Sequence, residues 1–307
     1  MKGLVTKNTG SWYTVKSENG NFIDCKIKGN FRMKDIRSTN PIAVGDWVEF
    51  EVVKDSAPMI HNICDRKNYI VRRSSNLSKQ SHILAANLDV VLLVITVNYP
   101  ETSTVFIDRF LAVAEAYRVP ACIVINKIDR YSEDELEYAQ ALKRLYQTLN
   151  YPVFLTAALQ PDSLLDIKKY LTNQTSLIAG NSGVGKSTLI NSLIPNNRAK
   201  TNAISEYHNK GMHTTTFSEM FELPDGGYVI DIPGIKGFGT IDFKENEVGH
   251  YFKEIFKFSE SCRFNNCTHT HEPGCAVLEA VDANQISNSR YNSYLSVMED
   301  CKEGKYR

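Results

Sequence analysis

Apolar and polar positions alternate through the first part of the chain and then give way to short continuous apolar runs. Trp12-Tyr13-Thr14-Val15 and Phe22-Ile23-Asp24-Cys25-Lys26-Ile27 follow the two-residue period of strands with one buried face. Asn19-Gly20-Asn21 between them is a hairpin signal. A third stretch, Gly45-Asp46-Trp47-Val48-Glu49-Phe50-Glu51-Val52-Val53, repeats the pattern. Short alternating strands separated by turns predict an all-β barrel of the OB-fold type over residues 1–74.

From residue 75 the period changes. Ala121-Cys122-Ile123-Val124-Ile125, Val153-Phe154-Leu155, Ser176-Leu177-Ile178-Ala179 and Tyr228-Val229-Ile230 are apolar without alternation, as strands buried on both faces are. Helical patterns lie between them, at about Asp162 to Leu171 and over Thr188-Leu189-Ile190-Asn191-Ser192-Leu193-Ile194. Strands alternating with helices predict a parallel α/β sheet over residues 75–240. Residues 241–307 then form a small, mostly helical module.

The loops after these strands carry the candidate chemistry. Gly180-Asn181-Ser182-Gly183-Val184-Gly185-Lys186-Ser187, followed by Thr188, fits G-x-x-x-x-G-K-S between a strand and a helix. Its glycines let successive N–H groups approach a phosphate, Lys186 is placed for the β and γ phosphates, and Ser187 for Mg²⁺. Asn126-Lys127-Ile128-Asp129 directly follows another strand, where doubly wound sheets bind ligands. An Asp129 carboxylate can accept from both N1–H and the exocyclic amine of guanine, donors that adenine lacks on that edge. Thr156-Ala157-Ala158 is placed to pack on a base. Asp231-Ile232-Pro233-Gly234 supplies a carboxylate near Mg²⁺ and a glycine N–H for the γ-phosphate. The polar stretch Gly211-Met212-His213-Thr214-Thr215-Thr216 offers switch threonines, Thr214 and Thr215, with Thr215 a second Mg²⁺ ligand.

These motifs describe a P-loop GTPase read in an unusual order. The base-reading motif precedes the phosphate loop, so the sheet is circularly permuted: an ancestral C-terminal helix runs through Thr172-Asn173-Gln174-Thr175 into the phosphate-loop strand. The Asp231-Ile232-Pro233-Gly234 turn, switch two, then leads directly into the C-terminal module. There, Cys262-x-x-x-x-Cys267-x-His269 with Cys275 supplies three thiolates and an imidazole, the donor set of one closed structural Zn²⁺ site, with His271 as an alternative to His269. Zinc would let so short a segment hold a fixed shape.

Charge adds a candidate partner. The chain is neutral overall, but residues 1–74 hold 13 Lys and Arg against 8 Asp and Glu. Lys26, Lys28, Arg32, Lys34, Arg37, Arg72 and Arg73, with Phe22 and Phe31 among them, suit an RNA backbone with base stacking. The four remaining cysteines are scattered, and no apolar run approaches the roughly 18 residues of a membrane span. A cytoplasmic monomer without a signal peptide or a membrane association is expected.

Taken together, the permuted motifs, Ala43-Val44-Gly45-Asp46-Trp47-Val48 and the Cys/His cluster resemble the RsgA family of circularly permuted GTPases over essentially the full length. The resemblance implies GTP hydrolysis stimulated by the small (30S) ribosomal subunit, binding to its 16S rRNA near the decoding region, a late assembly checkpoint, and His269 rather than His271 as the zinc ligand. Ordinary Ras-type GTPases carry glutamine where this chain has Ile235, an apolar replacement the family shares. The resemblance places His213 in switch one, where an imidazole can orient water or take its proton. Met212 stands where many relatives carry a basic residue. Two alternatives fit the same motifs: a GTP-dependent rRNA-binding switch in translation or stress control, not dedicated to assembly, and a phosphate-loop ATPase with a chance Asn-Lys-x-Asp.

Overall fold

The structure is a computed structural model that describes residues 1–27, 41–53, 56–73, 81–194, 218–232 and 243–303. Five strands, β1 (Lys2–Asn8), β2 (Tyr13–Ser17), β3 (Phe22–Ile27), β4 (Trp47–Glu51) and β5 (Met59–Ile63), pair in the order β1-β2-β3-β5-β4, and β4 returns to β1. This closure makes the expected OB-like barrel. Alternation explains its interior: Val5, Tyr13, Val15, Cys25, Val48, Phe50 and Ile60 fill the core, while Trp12, Phe22 and Trp47 stay exposed. The predicted Asn-Gly turn is present, with Gly20 at φ 81°. Strands β1 and β5 lack sufficient alternation to stand out in the sequence.

A hairpin, β6 (Tyr69–Arg73) with β7 (Ser81–Ala86), follows the barrel. The expected division at 74/75 falls between these paired strands. Gly45, at φ 91°, lies so close to Ala86 that a Cβ would collide with its carbonyl oxygen, and Val44 bridges to Ala85. Barrel and hairpin are therefore fitted backbone to backbone.

The central sheet runs β10-β9-β8-β11-β13-β12, with β8 (Val90–Ile95), β9 (Ala121–Ile125), β10 (Val153–Leu155), β11 (Thr175–Ala179) and β13 (Tyr228–Asp231) parallel and β12 (Ser218–Glu222) antiparallel. Every residue of β8 is buried, and alternate ones serve opposite layers. Val91, Leu93 and Ile95 pack on α1 (Thr104–Ala116) and α2 (Glu133–Thr148), whereas Val90, Leu92 and Val94 pack on α3 (Leu165–Leu171) and α4 (Lys186–Leu193). The helix expected from Asp162 is a 3₁₀ turn at Pro161–Leu164 before α3 begins. The joining segment is pinned by hydrogen bonds from Asn173 N to Gly226 O (3.0 Å) and from Tyr228 N to Gln174 O (2.7 Å).

Two joints connect the modules. Strand β1 pairs with β12, at Lys7↔Glu219 and Asn8↔Ser218, so barrel and central sheet share one 11-stranded sheet. Among its described residues, the C-terminal module comprises a 3₁₀ segment at Glu245–Tyr251 and three helices, α5 (Lys253–Ser259), α6 (Ala276–Asp282) and α7 (Asn288–Glu303), around a core of Val248, Phe252, Ile255, Val277 and Tyr294. Helix α7 lies on α1, where buried Arg290 of α7 donates to Asp108 (2.7 Å) and to both oxygens of Glu254 (2.6 and 3.1 Å). Tyr146 also donates to Asp108, at 2.8 Å. Lys253 pairs with Glu115 (3.1 Å) beside this contact.

Candidate functional site

Strand β11 ends where the backbone must turn into α4, and glycine decides whether it can. Gly180 has φ 142° and a Cβ there would collide with the Val94 carbonyl oxygen; Gly183 has φ 84°. Gly185, at φ 97°, caps α4 and lies against Asn126 Nδ2, leaving no room for a methyl group. The loop thus ends at the N-terminus of a helix, whose first N–H groups lack intrahelical acceptors and suit an anion. Lys186 Nζ donates to the Gly180 and Asn181 carbonyls at 2.8 and 2.7 Å. Burial lowers its pKa from the usual lysine value, and the Asp231 carboxylate opposes that shift. Ser182 and Ser187 are exposed, Asn181 and Thr188 half-buried, and Val184 is buried beneath the loop.

Asn126 ties this loop to the two others. Its Nδ2 donates to Val184 O at 2.9 Å, and its Oδ1 accepts from Thr156 Oγ1 and Ala158 N, each at 3.1 Å. One buried amide therefore joins the phosphate loop, Asn126–Asp129 and Thr156–Ala158. Lys127, in the left-handed region at φ 65°, donates to the Tyr99 and Gly183 carbonyls at 2.7 and 2.6 Å. Ile128 opens a short 3₁₀ turn that leaves Asp129 exposed, able to accept from two donors of a base. Ala157 is buried beside them, its N–H accepted by Ser163 Oγ at 2.9 Å. Asp231 ends β13, next to β11, and is 7% exposed. Met212, His213, Thr214, Thr215, Gly234 and Ile235 lie outside the described residues, as do Lys28, Phe31, Arg32, Lys34 and Arg37.

Ser163 and Tyr131 escaped the motif reading. Tyr131 accepts from Val97 N (2.8 Å) and donates to Asn126 O (2.6 Å). Neither belongs to a spaced motif, and each meets its partner only through tertiary folding.

The second site is a candidate metal centre. The ligand atoms of Cys262, Cys267, His269 and Cys275 all lie within 4.8 Å of one another. Cys262 Sγ and Cys275 Sγ are 3.8 Å apart, and each is 3.5 Å from His269 Nδ1. A tetrahedral Zn²⁺ with ordinary Zn–S and Zn–N bonds has edges of about 3.8 and 3.5 Å, so these residues fit zinc. His271 is exposed and its Nδ1 contacts Thr270 Oγ1, whereas the imidazole that lies among the three thiols is that of His269. His269 takes φ 56°, and its loop is shaped by Glu272, which accepts from Thr268, Thr270 and His271 N–H groups. Burial, the largest single influence, raises the Glu272 pKa, but the Thr268 hydroxyl and the Thr268 and His271 N–H groups together hold it far below the usual carboxylate range. From α7, Tyr291 and Tyr294 donate to the His269 and Thr268 carbonyls at 2.8 and 2.7 Å.

Comparison with known proteins follows the same outline. The sequence profile described as RsgA GTPase matches residues 63–241, and that described as RsgA N-terminal domain matches residues 2–60. The chain belongs to the RsgA GTPase family. It is 63% identical to the small ribosomal subunit biogenesis GTPase RsgA of Phocaeicola vulgatus and 64% identical to RsgA 2 of Bacteroides thetaiotaomicron, covering all of this chain and 99% of each relative. Its fold matches YjeQ from Thermotoga maritima with a TM-score of 0.78 at 36% identity, over 98% of both chains. It also matches YloQ, described as a circularly permuted GTPase, with a TM-score of 0.76 at 31% identity, over all of this chain and 96% of that one. RsgA membership makes the chain a GTP hydrolase, with Mg²⁺ accompanying GTP and one Zn²⁺ suited to the Cys₃His centre. Among the described residues, no helix is long and apolar enough to cross a membrane.

Proposed function

We propose that this protein hydrolyses GTP in the biogenesis of the small ribosomal subunit, binding that subunit and its 16S rRNA as a cytoplasmic monomer. The observation that carries the nucleotide half of this reading is Asn126, whose side chain bonds the phosphate loop and the base-packing loop at once. In the proposed cycle Asp129 reads guanine, Lys127 and residues 156–158 flank the base, and the N–H groups of residues 180–188 hold the phosphates. Lys186 exchanges its carbonyl partners for the β and γ phosphates. Ser187, Thr215 and Asp231 would hold Mg²⁺, which neutralises charge on the transferred phosphoryl group. Gly234 senses the γ-phosphate, and His213 orients the water whose oxygen attacks phosphorus as the bond to the GDP oxygen breaks.

The curated relatives supply the ribosomal half by name, and the barrel surface supports it. Lys26 lies 4.5 Å over the exposed Trp12 ring, and Lys2 lies 5.5 Å over Trp47. Cations beside open aromatic faces suit phosphates and stacked bases. With Ile235 unable to orient water, the isolated protein should turn over slowly, and completion of the site by a partner is worth up to roughly 10⁵-fold, about 7 kcal/mol of barrier. Single-turnover hydrolysis with and without purified small subunits tests this. A large acceleration that His213→Ala abolishes is expected; equal rates with and without subunits would overturn the activation, and an undiminished variant would remove His213 from the chemistry.

A further inference from the structure

Residues 96–102, between β8 and α1, match none of the nucleotide-binding motifs, yet they touch two of them. The loop is closed on itself by Thr96 Oγ1 donating to Pro100 O (2.5 Å), Thr102 N to Thr96 O (3.1 Å) and Tyr99 N to Asn98 Oδ1 (2.9 Å). Three further bonds fasten it to the base-reading segment. The Tyr131 hydroxyl accepts from Val97 N and donates to Asn126 O, Asn98 Nδ2 donates to Glu135 Oε1 (2.7 Å), and Lys127 Nζ spans Tyr99 O and Gly183 O.

Glu135 is itself fixed, since it completes the capping box of α2 by accepting from Ser132 N at 2.9 Å. The base-reading segment is thus held from its start, at Asn126, and from its far side, at Tyr131 and Glu135, by one compact loop. The segment between those anchors contains Lys127 in a left-handed conformation, which is uncommon for a non-glycine residue and is held here by its surroundings.

We propose that residues 96–102 act as a positioning platform for guanine recognition, with the Tyr131 hydroxyl as the positioning residue that sets where Asp129 meets the base. This rests on the reading of Asn126–Asp129 as the guanine site. The hydroxyl joins a donor and an acceptor from separate stretches of chain, whereas its ring packs against the large core cluster. The two roles can therefore be separated by removing only the oxygen. A tyrosine hydroxyl keeps its proton at neutral pH in any case, and burial, opposed by the Val97 N–H and reinforced by the Glu135 and Asp129 carboxylates, pushes the Tyr131 pKa up further, to about 12.

The test is Tyr131→Phe in the full chain, read by titration with GDP, inosine diphosphate and ADP, and by single-turnover hydrolysis at saturating GTP. Inosine lacks the exocyclic amine, so the GDP-to-inosine ratio measures how well Asp129 meets both donors. GDP affinity should fall about tenfold, a factor corresponding to 1.4 kcal/mol, with a smaller loss for inosine diphosphate and no change in the saturated rate. Asn98→Ala, which releases the same loop from Glu135 without touching Asn126, should lower the ratio in the same direction and decides the matter if Tyr131→Phe does not fold. An unchanged ratio in a folded variant, even one with a lower melting temperature, would reduce the hydroxyl to a structural role and overturn the proposal. Failure of the wild type to prefer GDP over ADP, together with no effect of Asp129→Asn, would instead overturn the guanine site on which it rests.

Discussion

Asn126 uses its side-chain hydrogen-bonding capacity on protein groups, one donation to the phosphate loop and two acceptances from the base-packing loop. A buried amide with such partners is costly to disturb, because each lost bond strands another buried polar group. The residue most able to disturb it is Gly185, which has φ 97° and touches Nδ2. Gly185→Ala would add left-handed backbone strain and push Asn126 off Val184, for a combined loss of about 2–4 kcal/mol. The expected result is a lower denaturation midpoint and weakened GDP binding. Wild-type values for both would mean that the loop relaxes without moving Asn126.

Among the elements, those that carry chemistry were the most legible. The phosphate loop sits between a strand and a helix as its glycines require, and Asn126 follows β9 directly, because local backbone demands and a continuous apolar strand both leave traces in sequence. The barrel was legible through β2, β3 and β4, whose alternation survives in the chain. By contrast, the clamp between α7 and α1 left no trace: Arg290 and Asp108 stand 182 positions apart, and only the fold brings them to 2.7 Å. Burial raises the Asp108 pKa, while Arg290, Ser293 and Tyr146 draw it back. Arg290→Ala would leave Asp108 and Glu254 buried without their cation, a change that costs about 3–5 kcal/mol. Chemical denaturation should show this loss, and a wild-type midpoint would mean that the helices separate and hydrate the carboxylates.

At the scale of the whole molecule, the two joints attach to different halves of the GTPase. The zinc module is clamped to α1 on the base-reading side, with Tyr291 and Tyr294 of α7 reaching the metal loop. The barrel instead joins β12, the strand lying between the two candidate switch segments in the chain, and Lys16 reinforces the joint by pairing with Glu222 at 2.6 Å. The permuted motif order had suggested that switch two leads into the zinc module; the β1 to β12 pairing adds a second route, toward the barrel, that no motif announced. The chain has two tryptophans, Trp12 and Trp47, both half-exposed on the barrel. Its tryptophan emission, excited at the red edge where tyrosine does not absorb, therefore originates from the barrel alone, leaving the GTPase core and the zinc module dark in that channel. Replacing GDP by a non-hydrolysable GTP analogue should alter that emission, and superimposable spectra would mean that the barrel does not follow the switches. The protein thus carries its own fluorophore on the module whose response to nucleotide matters most.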